Sequence, residues 1–179
     1  AVQALYSPYS WSTSQVAAGL TYSFSTSSAD YATNSTYYGE QAGFLILGDG
    51  GEVIMRDAFS AWSGIMSPDL TEVASGGVIK VGGTTYTTTA WAYSPNSQSG
   101  GGDGDIWVGV NQSYNARFAA STASAYLGSY EYFVSMHEIG HSLGLKHPHD
   151  DYTSLSNDVM STSFDAIEYT VMSYRSFVG

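Results

Sequence analysis

The stretch that decides the fold reads His137-Glu138-Ile139-Gly140-His141-Ser142-Leu143-Gly144-Leu145-Lys146-His147-Pro148. On a helix, His137 and His141 lie one turn apart on the same face, so both rings can bind one ion at about 2.0–2.1 Å. Gly144 then allows a left-handed reversal of the chain without a Cβ clash. Because that reversal can bring His147 back to the same ion, the segment predicts a metal centre with three imidazole ligands.

Glu138 follows the first histidine, and helical geometry places it roughly 100° around the axis from His137. A carboxylate there lies beside the ion without binding it, where a base acting on metal-bound water must be. Structural zinc sites are usually closed by four protein ligands and favour cysteine, and this chain has none. We therefore favour a catalytic centre, and a zinc ion that only stabilises the fold is the alternative.

The helix that should hold the first two histidines is predicted over residues 129–143. Its apolar residues recur at three- and four-residue spacing, and they are Phe133, Met136, Ile139 and Leu143. Gly144 is well placed to end this helix as a left-handed cap. The segment from Lys146 to Gly179 is predicted to be irregular and to hold the other half of the site.

The preceding residues are predicted to form a sheet with one further helix. Residues 1–19 are expected to be an irregular arm. A glycine turn at 48–51 should lead into a helix from Glu52 to Met66, which Ser67-Pro68 ends; its apolar stripe is Ile54, Ala58, Ala61, Trp62 and Ile65. Apolar alternation and β-branched residues predict strands at 20–24, 70–74, 78–81, 84–89 and 105–110, with 91–93 as a further candidate.

Composition narrows the class of protein. The 179 residues include 16 acidic and 5 basic side chains, for a net charge of −11, which disfavours binding to nucleic acid or to an anionic membrane surface. Apolar stretches such as 43–47 are too short to span a bilayer. The Ser-, Thr- and Tyr-rich, lysine-poor composition favours an extracellular protein, although residues 1–11 have no signal-peptide pattern.

Several polar residues have a less specific pattern. The run Gly101-Gly102-Asp103-Gly104-Asp105 is similar to one calcium-binding repeat, but a single copy favours a plain turn. Asp150, Asp151 and Asp158 have the ligand type that calcium prefers, and a solvated acidic loop is the favoured interpretation. Calcium therefore has no clear motif, and His149 is predicted to be solvated.

The segment from His137 to His147 resembles the extended zinc motif of the metzincin metalloendopeptidases, and residues 169–174 resemble their methionine turn. Pro148, with Met172-Ser173-Tyr174, is similar to the serralysin family. The resemblance implies an α+β, zincin-like fold: a twisted mixed sheet, a backing helix and an active-site helix followed by a methionine turn. It implies one catalytic domain over 1–179, with an arm (1–19), a sheet-rich upper part (20–128) and the active-site part (129–179).

The same resemblance implies roles for individual residues. His137, His141 and His147 would bind Zn²⁺, and Glu138 would be the general base. Tyr174 would be a further zinc ligand without substrate and would then donate to the oxyanion, and Met172 would form an apolar floor under the histidines. The implied function is that of a secreted zinc-dependent endopeptidase, which hydrolyses peptide bonds with metal-activated water.

Substrates should be proteins or peptides bound as an added strand, with residues 105–110 as the expected sheet edge. Residues 148–168 and 169–171 should shape the pocket on the leaving-group side. We expect a monomer, and a proteinaceous inhibitor is an open partner class. The calcium-binding β-roll usual in serralysins is absent from this sequence. Two alternatives stay open: a catalytically silent metal-binding domain, and an amidase that acts on peptidoglycan.

Overall fold

A computed structural model describes residues 2–31, 37–96, 102–110, 116–120, 126–151 and 159–176. Six strands form one mixed sheet, and their bounds are β1 Leu20–Phe24, β2 Phe44–Leu45, β3 Leu70–Glu72, β4 Ile79–Thr84, β5 Ala90–Ala92 and β6 Ile106–Gly109. Across the sheet the order is β3-β1-β4-β6-β5, and β2 pairs with the end of β4. Strands β1, β3, β4 and β6 are parallel, whereas β2 and β5 run antiparallel to their neighbours.

The α-helices of the described residues are α1 Thr13–Ala18, α2 Asp49–Ser63, α3 Ala116–Ala119 and α4 Tyr130–Ser142. Short 3-10 turns occupy Val2–Leu5, Ser28–Asp30 and Glu40–Gly43. None of these helices combines the length and the apolar character that crossing a bilayer requires. The predicted combination of a mixed sheet with helices is therefore confirmed.

The main core lies between one face of the sheet and helices α2 and α4. Alternate residues of β4 and β6 are fully buried there with the inward residues of the helices: Ile79, Val81, Ile106, Val108, Ile54, Met55, Phe59 and Ile139. Tyr22 stacks on Phe59 at 3.8 Å between ring centroids. The Trp62 indole donates to the Met136 carbonyl at 3.0 Å. Helix α2 is thus the predicted backing helix, and it fixes the position of α4.

Most of the predicted elements are present, with shifted boundaries. Strand β1 has its predicted bounds, and β3, β4 and α4 overlap their predictions. The predicted strand over 84–89 is wrong, because only Thr84 belongs to β4 and the next strand, β5, coincides with the further candidate at 91–93. Strand β2 was not predicted; it has only two residues, too few for a periodic signal.

The predicted edge strand is also wrong. Strand β6 is paired on both sides, with β4 and with β5, and all four of its residues are buried. A nearly continuous apolar run is typical of such a central strand. Strand β5 is the edge instead: no other described strand pairs with its outer side, and the strand contacts α4.

Two helix predictions need correction. Residues 1–19 are not an irregular arm throughout, because Ser12 and Gln15 form a capping box that starts α1. Helix α2 begins at Asp49, in the segment predicted as a glycine turn, and ends at Ser63. Ile65 therefore lies beyond the helix and is 76% exposed rather than part of the apolar stripe.

Candidate metal centre

Helix α4 holds the first two histidines of the centre. Ser129 caps the helix by accepting a hydrogen bond from the Tyr132 N–H at 3.3 Å. One turn separates His137 from His141, and their Nε2 atoms lie 3.1 Å apart. The helical register that the spacing predicts is therefore the register that the structure has.

A turn at Gly144 brings in the third histidine. Gly144 has a φ of +98°, as the predicted left-handed reversal requires, and the Leu145 N–H donates back to the Gly140 carbonyl at 2.9 Å. After this turn, His147 Nε2 lies 3.0 Å from the same atom of His141 and 3.2 Å from that of His137. The three ring nitrogens thus form a nearly equilateral triangle.

The remaining nitrogen of each ring fixes its tautomer. Each Nδ1 meets an oxygen acceptor: the Val171 carbonyl for His137 (2.7 Å), the Leu145 carbonyl for His141 (2.9 Å) and the Asp150 carboxylate for His147 (2.9 Å). Carbonyl and carboxylate oxygens only accept, so each Nδ1 bears the proton and each Nε2 presents a lone pair. Metal-binding histidines commonly have such partners.

This arrangement fits a divalent metal ion. Lone pairs that face one another at 3.0–3.2 Å repel unless a cation lies between them. Ligands of a tetrahedral zinc site with bonds of 2.0–2.1 Å are about 3.3 Å apart, close to these separations. Burial lowers the pKa of His137 and His141 to about 4 and also lowers the pKa of His147, so neutral, metal-binding rings prevail at neutral pH.

Glu138 lies next to the triad and is 7% exposed. Its Oε2 atom is buried without a hydrogen-bond partner among the described residues. Burial raises the pKa of Glu138 to about 8, and a hydrogen bond from the Ala92 backbone opposes that shift. A bound cation would favour the charged carboxylate and lower this pKa. The charge of the Glu138 carboxylate therefore depends on whether a cation lies beside it.

Met172 and Tyr174 differ in their burial and in their contacts. Met172 is fully buried under α4, where a Cβ at residue 140 would collide with its sulfur, so Gly140 allows this close approach. Tyr174 is 67% exposed, and its ring centroid lies 4.3 Å from that of His147 and 5.3 Å from that of His137. Burial and the Glu138 carboxylate raise its pKa to about 12, so the phenol retains its proton.

A cleft of about 250 Å³ opens over these groups, between α4 and the outer side of β5. The residues that matter in its lining are Ala90, Ala92, Glu138, His141, His147 and Tyr174. The candidate base, two of the imidazoles and the backbone of the edge strand therefore face one common space.

Comparison with known proteins agrees with this geometry. Residues 73–148, which include β5 and all three histidines, match the family model described as metallo-peptidase family M12B, reprolysin-like. This part of the chain is therefore similar to a reprolysin-like metallopeptidase domain. It is also similar to the metalloprotease AprA of Pseudomonas entomophila (strain L48), with 32% identity over 126 residues, and to the serralysin of Proteus mirabilis, with 34% over 139 residues.

A third relative, the metallopeptidase AprA of Pseudomonas marginalis, is 33% identical over 128 residues. Each alignment covers 66% of this chain but only 25–27% of the relative, so the chain spans about a quarter of the length of these proteins. The resemblance to metzincins and serralysins that the motif indicates is confirmed.

Asp150 has a role in the metallopeptidase domain that the sequence did not reveal. Its carboxylate accepts from both the ring Nδ1 and the backbone N–H of His147, at 2.9 and 3.2 Å, rather than lying free in a solvated acidic loop. The buried Lys146 ammonium donates to the Asp150 carbonyl at 2.8 Å and so holds the loop closed. A carboxylate three residues after the last histidine was the available signal.

The other polar residues of this region are peripheral. The His149 side chain is 44% exposed and stacks on His147, and its Nδ1 lies 3.6 Å from Asp165. His149 is therefore not one of the three converging imidazoles, although its Nε2 lies 4.0 Å from Asp150. Asp151 is exposed, and Asp158 lies outside the described residues.

Proposed function

We propose that this chain is the catalytic domain of a secreted, zinc-dependent endopeptidase. One observation supports the proposal above the others: three imidazoles present convergent Nε2 lone pairs beside the buried carboxylate of Glu138. His137, His141 and His147 would hold the metal. All three are nitrogen donors, a set that suits zinc. Secretion is supported by the lysine-poor, acidic composition and by similarity to a serralysin.

The reaction would be hydrolysis of a peptide bond without a covalent intermediate. A bound zinc ion would supply a Lewis acid that polarises the scissile carbonyl and acidifies a water molecule. Glu138 would take the proton from the attacking water and then pass it to the leaving amine. Tyr174, whose phenol stays protonated, would bind the metal in the absence of substrate and then donate to the developing oxyanion.

The edge strand β5 is the surface on which we place the substrate. Residues 89 and 93 pair with β6 through their backbone groups, since the Tyr93 N–H donates to the Asp105 carbonyl and the Gly109 N–H to the Thr89 carbonyl. In an antiparallel pair the pattern alternates, so the N–H and C=O groups of Ala90 and Ala92 point away from β6. The Ala92 N–H is hydrogen-bonded to Glu138, and the other three groups would meet a substrate. An extended peptide could add there as a further strand.

An apolar groove of about 650 Å³ continues from the cleft along the start of α4. Phe133, Met136, Ile167 and Val171 are among its lining residues, and Tyr174 separates it from the metal cleft. A groove of this size and lining suits a large apolar side chain. We place the residue that follows the scissile bond here, in agreement with the expected role of residues 169–171.

Replacement of the base tests the proposal. The E138Q variant should retain one zinc ion per chain, because its ligands are untouched, but casein hydrolysis should fall by about 10²–10⁴-fold. Metal content by mass spectrometry and activity before and after chelation would be measured on the same samples. E52Q is the matched control, since Glu52 lies on α2 in an ion pair with Arg56. Undiminished casein cleavage by E138Q would exclude this mechanism.

The same samples separate the alternatives. A silent binding domain would hold zinc and leave casein intact in the parent chain as well. An amidase would release soluble fragments from purified peptidoglycan and not from casein. We also propose that the chain acts as a monomer. The segment 169–174 would be a methionine turn, since Met172 packs under α4 and the Val171 carbonyl accepts from His137.

A further inference from the structure

The first residues of the chain are hydrogen-bonded to the loop that joins the second and third histidines. The Lys146 N–H donates to the Leu5 carbonyl at 2.8 Å, and the Ser7 N–H donates to the Gly144 carbonyl at 2.9 Å. Together these bonds form an antiparallel bridge between Tyr6 and Leu145. Residues 2–11, which we call the N-terminal clamp, are thus attached to residues 144–146 by an isolated antiparallel bridge.

Two further contacts attach the clamp to the same loop. The buried Trp11 indole donates to the Ser142 carbonyl at 2.9 Å, at the last residue of α4. A Cβ at Gly144 would lie 2.8 Å from the Tyr9 carbonyl oxygen, so the clamp packs directly on the left-handed turn. The clamp therefore contacts the loop from the end of α4 to the residue before His147.

The residue at the centre of this bridge orients a candidate metal ligand. The Leu145 carbonyl accepts from Nδ1 of His141 at 2.9 Å, and it is flanked on both sides by the bonds to the clamp. His147 follows Lys146 directly, so the bond from Lys146 to Leu5 also fixes where the third ring begins. Loss of the clamp would free both the acceptor of one ring and the backbone of another.

We propose that the N-terminal clamp is a positioning element that sets the metal affinity of the triad through the backbone of residues 142–146. This inference rests on the metal centre of the proposed function. None of the clamp residues supplies a ligand; they hold the Leu145 carbonyl and the start of His147 in place. Groups that orient a metal ligand without binding the metal themselves typically alter metal affinity by about 10–100-fold.

The test uses the full chain with two substitutions at one position. S7P removes the N–H that bonds to the Gly144 carbonyl, whereas S7A keeps that N–H and loses only the hydroxyl, which accepts from the Tyr9 N–H. Tyr6 is already extended in the bridge, a conformation that a following proline tolerates. Zinc affinity of each folded variant would be measured by competition with a chromogenic chelator, and unfolding of the metal-free forms by circular dichroism.

We expect zinc to bind S7P about 10–100-fold more weakly than the parent, and S7A to stay within about threefold of it. If S7P does not fold without metal, the W11F variant serves as the test instead. It removes the hydrogen bond to the Ser142 carbonyl and keeps an aromatic ring at that place, and its zinc affinity should also fall by about tenfold. In metal-free S7P, nitrogen-15 spectra of the rings should show faster exchange of the His141 Nδ1 proton.

The outcomes separate the two proposals. If the parent chain binds no zinc, the metal centre itself is refuted. If the parent binds zinc and folded S7P or W11F binds it within about threefold as tightly, the clamp has no positioning role and this inference is wrong. An equal loss in S7A and S7P would assign the effect to the hydroxyl and would also refute it.

Discussion

Asp150 offers the sharpest quantitative test of the metal centre. One oxygen of its carboxylate accepts from the ring Nδ1 of His147 at 2.9 Å and from its backbone N–H at 3.2 Å. The same carboxylate raises the pKa of His147 against the stronger lowering by burial, so it increases the basicity of the ring. Removal of this group should therefore weaken metal binding without removing a ligand.

Two arguments give the expected loss of zinc affinity when Asp150 is replaced. A hydrogen bond to a charged group contributes about 1.5–3 kcal/mol. Loss of a partner behind a metal ligand reduces affinity by about 10–100-fold, which equals about 1.4–2.7 kcal/mol. Because an asparagine oxygen can still accept both hydrogen bonds, the zinc affinity of D150N should fall only by the part due to charge, about tenfold. D150A loses the acceptor as well and should approach a hundredfold.

Chelator competition on the purified chain would measure these affinities, with D151N as the control. Asp151 is adjacent and exposed, so D151N makes the same change in net charge without touching His147. Affinity of D151N should stay within about twofold of the parent. If D150A binds zinc within about threefold of the parent, the carboxylate does not orient His147, and the reasoning from the Nδ1 contact is refuted.

Three further predictions concern groups around the triad. Y174F should retain zinc but lose about 10–10³-fold in kcat for peptide hydrolysis, because it removes an oxyanion donor; unchanged kcat would exclude that role. Metal-free E138Q should become more stable than the parent as pH rises from about 4.5 towards 8, by an amount on the order of 3 kcal/mol at pH 7. The pKa of Glu138 is raised to about 8 in the folded chain, so the parent loses stability over that window. An equal difference in the free energy of unfolding between the two proteins at pH 4.5 and at pH 7 would contradict this prediction. G140A should lower the free energy of unfolding by about 1–3 kcal/mol, since its Cβ collides with Met172, whereas G64A, at a φ of −66°, should be neutral or slightly stabilising.

The ligands of the site were predictable because their geometry is local. Two histidines four residues apart on a helix must share a face, and a glycine three residues later can reverse the chain. The structure places His137, His141 and His147 together, as this local geometry allows. Contacts with distant parts of the chain then hold the loop that joins His141 to His147.

The groups that orient the ligands were not predictable in the same way. The Val171 carbonyl reaches His137 from 34 residues away, and the Ala92 backbone contacts Glu138 from a strand in another part of the sequence. Backbone N–H and C=O groups are the same at every non-proline residue, so no sequence signal marks the ones that a fold uses. The charged Asp150 was the exception, and its position in a run of acidic residues concealed it.

The fold shows the same division. The bounds of α4 were predicted to within one residue and those of α2 to within three, but the order of the strands was not predicted. The sequence predicts residues 105–110 as the edge, because glycine there would allow close approach of a substrate. Its apolar character instead reflects burial on both faces, and the short Ala90–Ala92 strand occupies the edge. Strand order depends on pairings between distant segments, about which a local pattern contains no information.

The placement of β5 at the edge has a chemical consequence. Glu138 accepts a hydrogen bond from the Ala92 backbone, and the same strand turns the backbone groups of Ala90 and the Ala92 carbonyl away from β6, on the side of the cleft. A peptide that pairs with these groups would therefore lie along the strand that contacts the candidate base. Substrate alignment and proton transfer would then depend on one strand of three residues, so a change that shifts β5 should alter KM and kcat together. Strand β6, which the sequence predicts as the edge, could not couple substrate alignment to proton transfer in this way, because its backbone groups pair with β4 and β5.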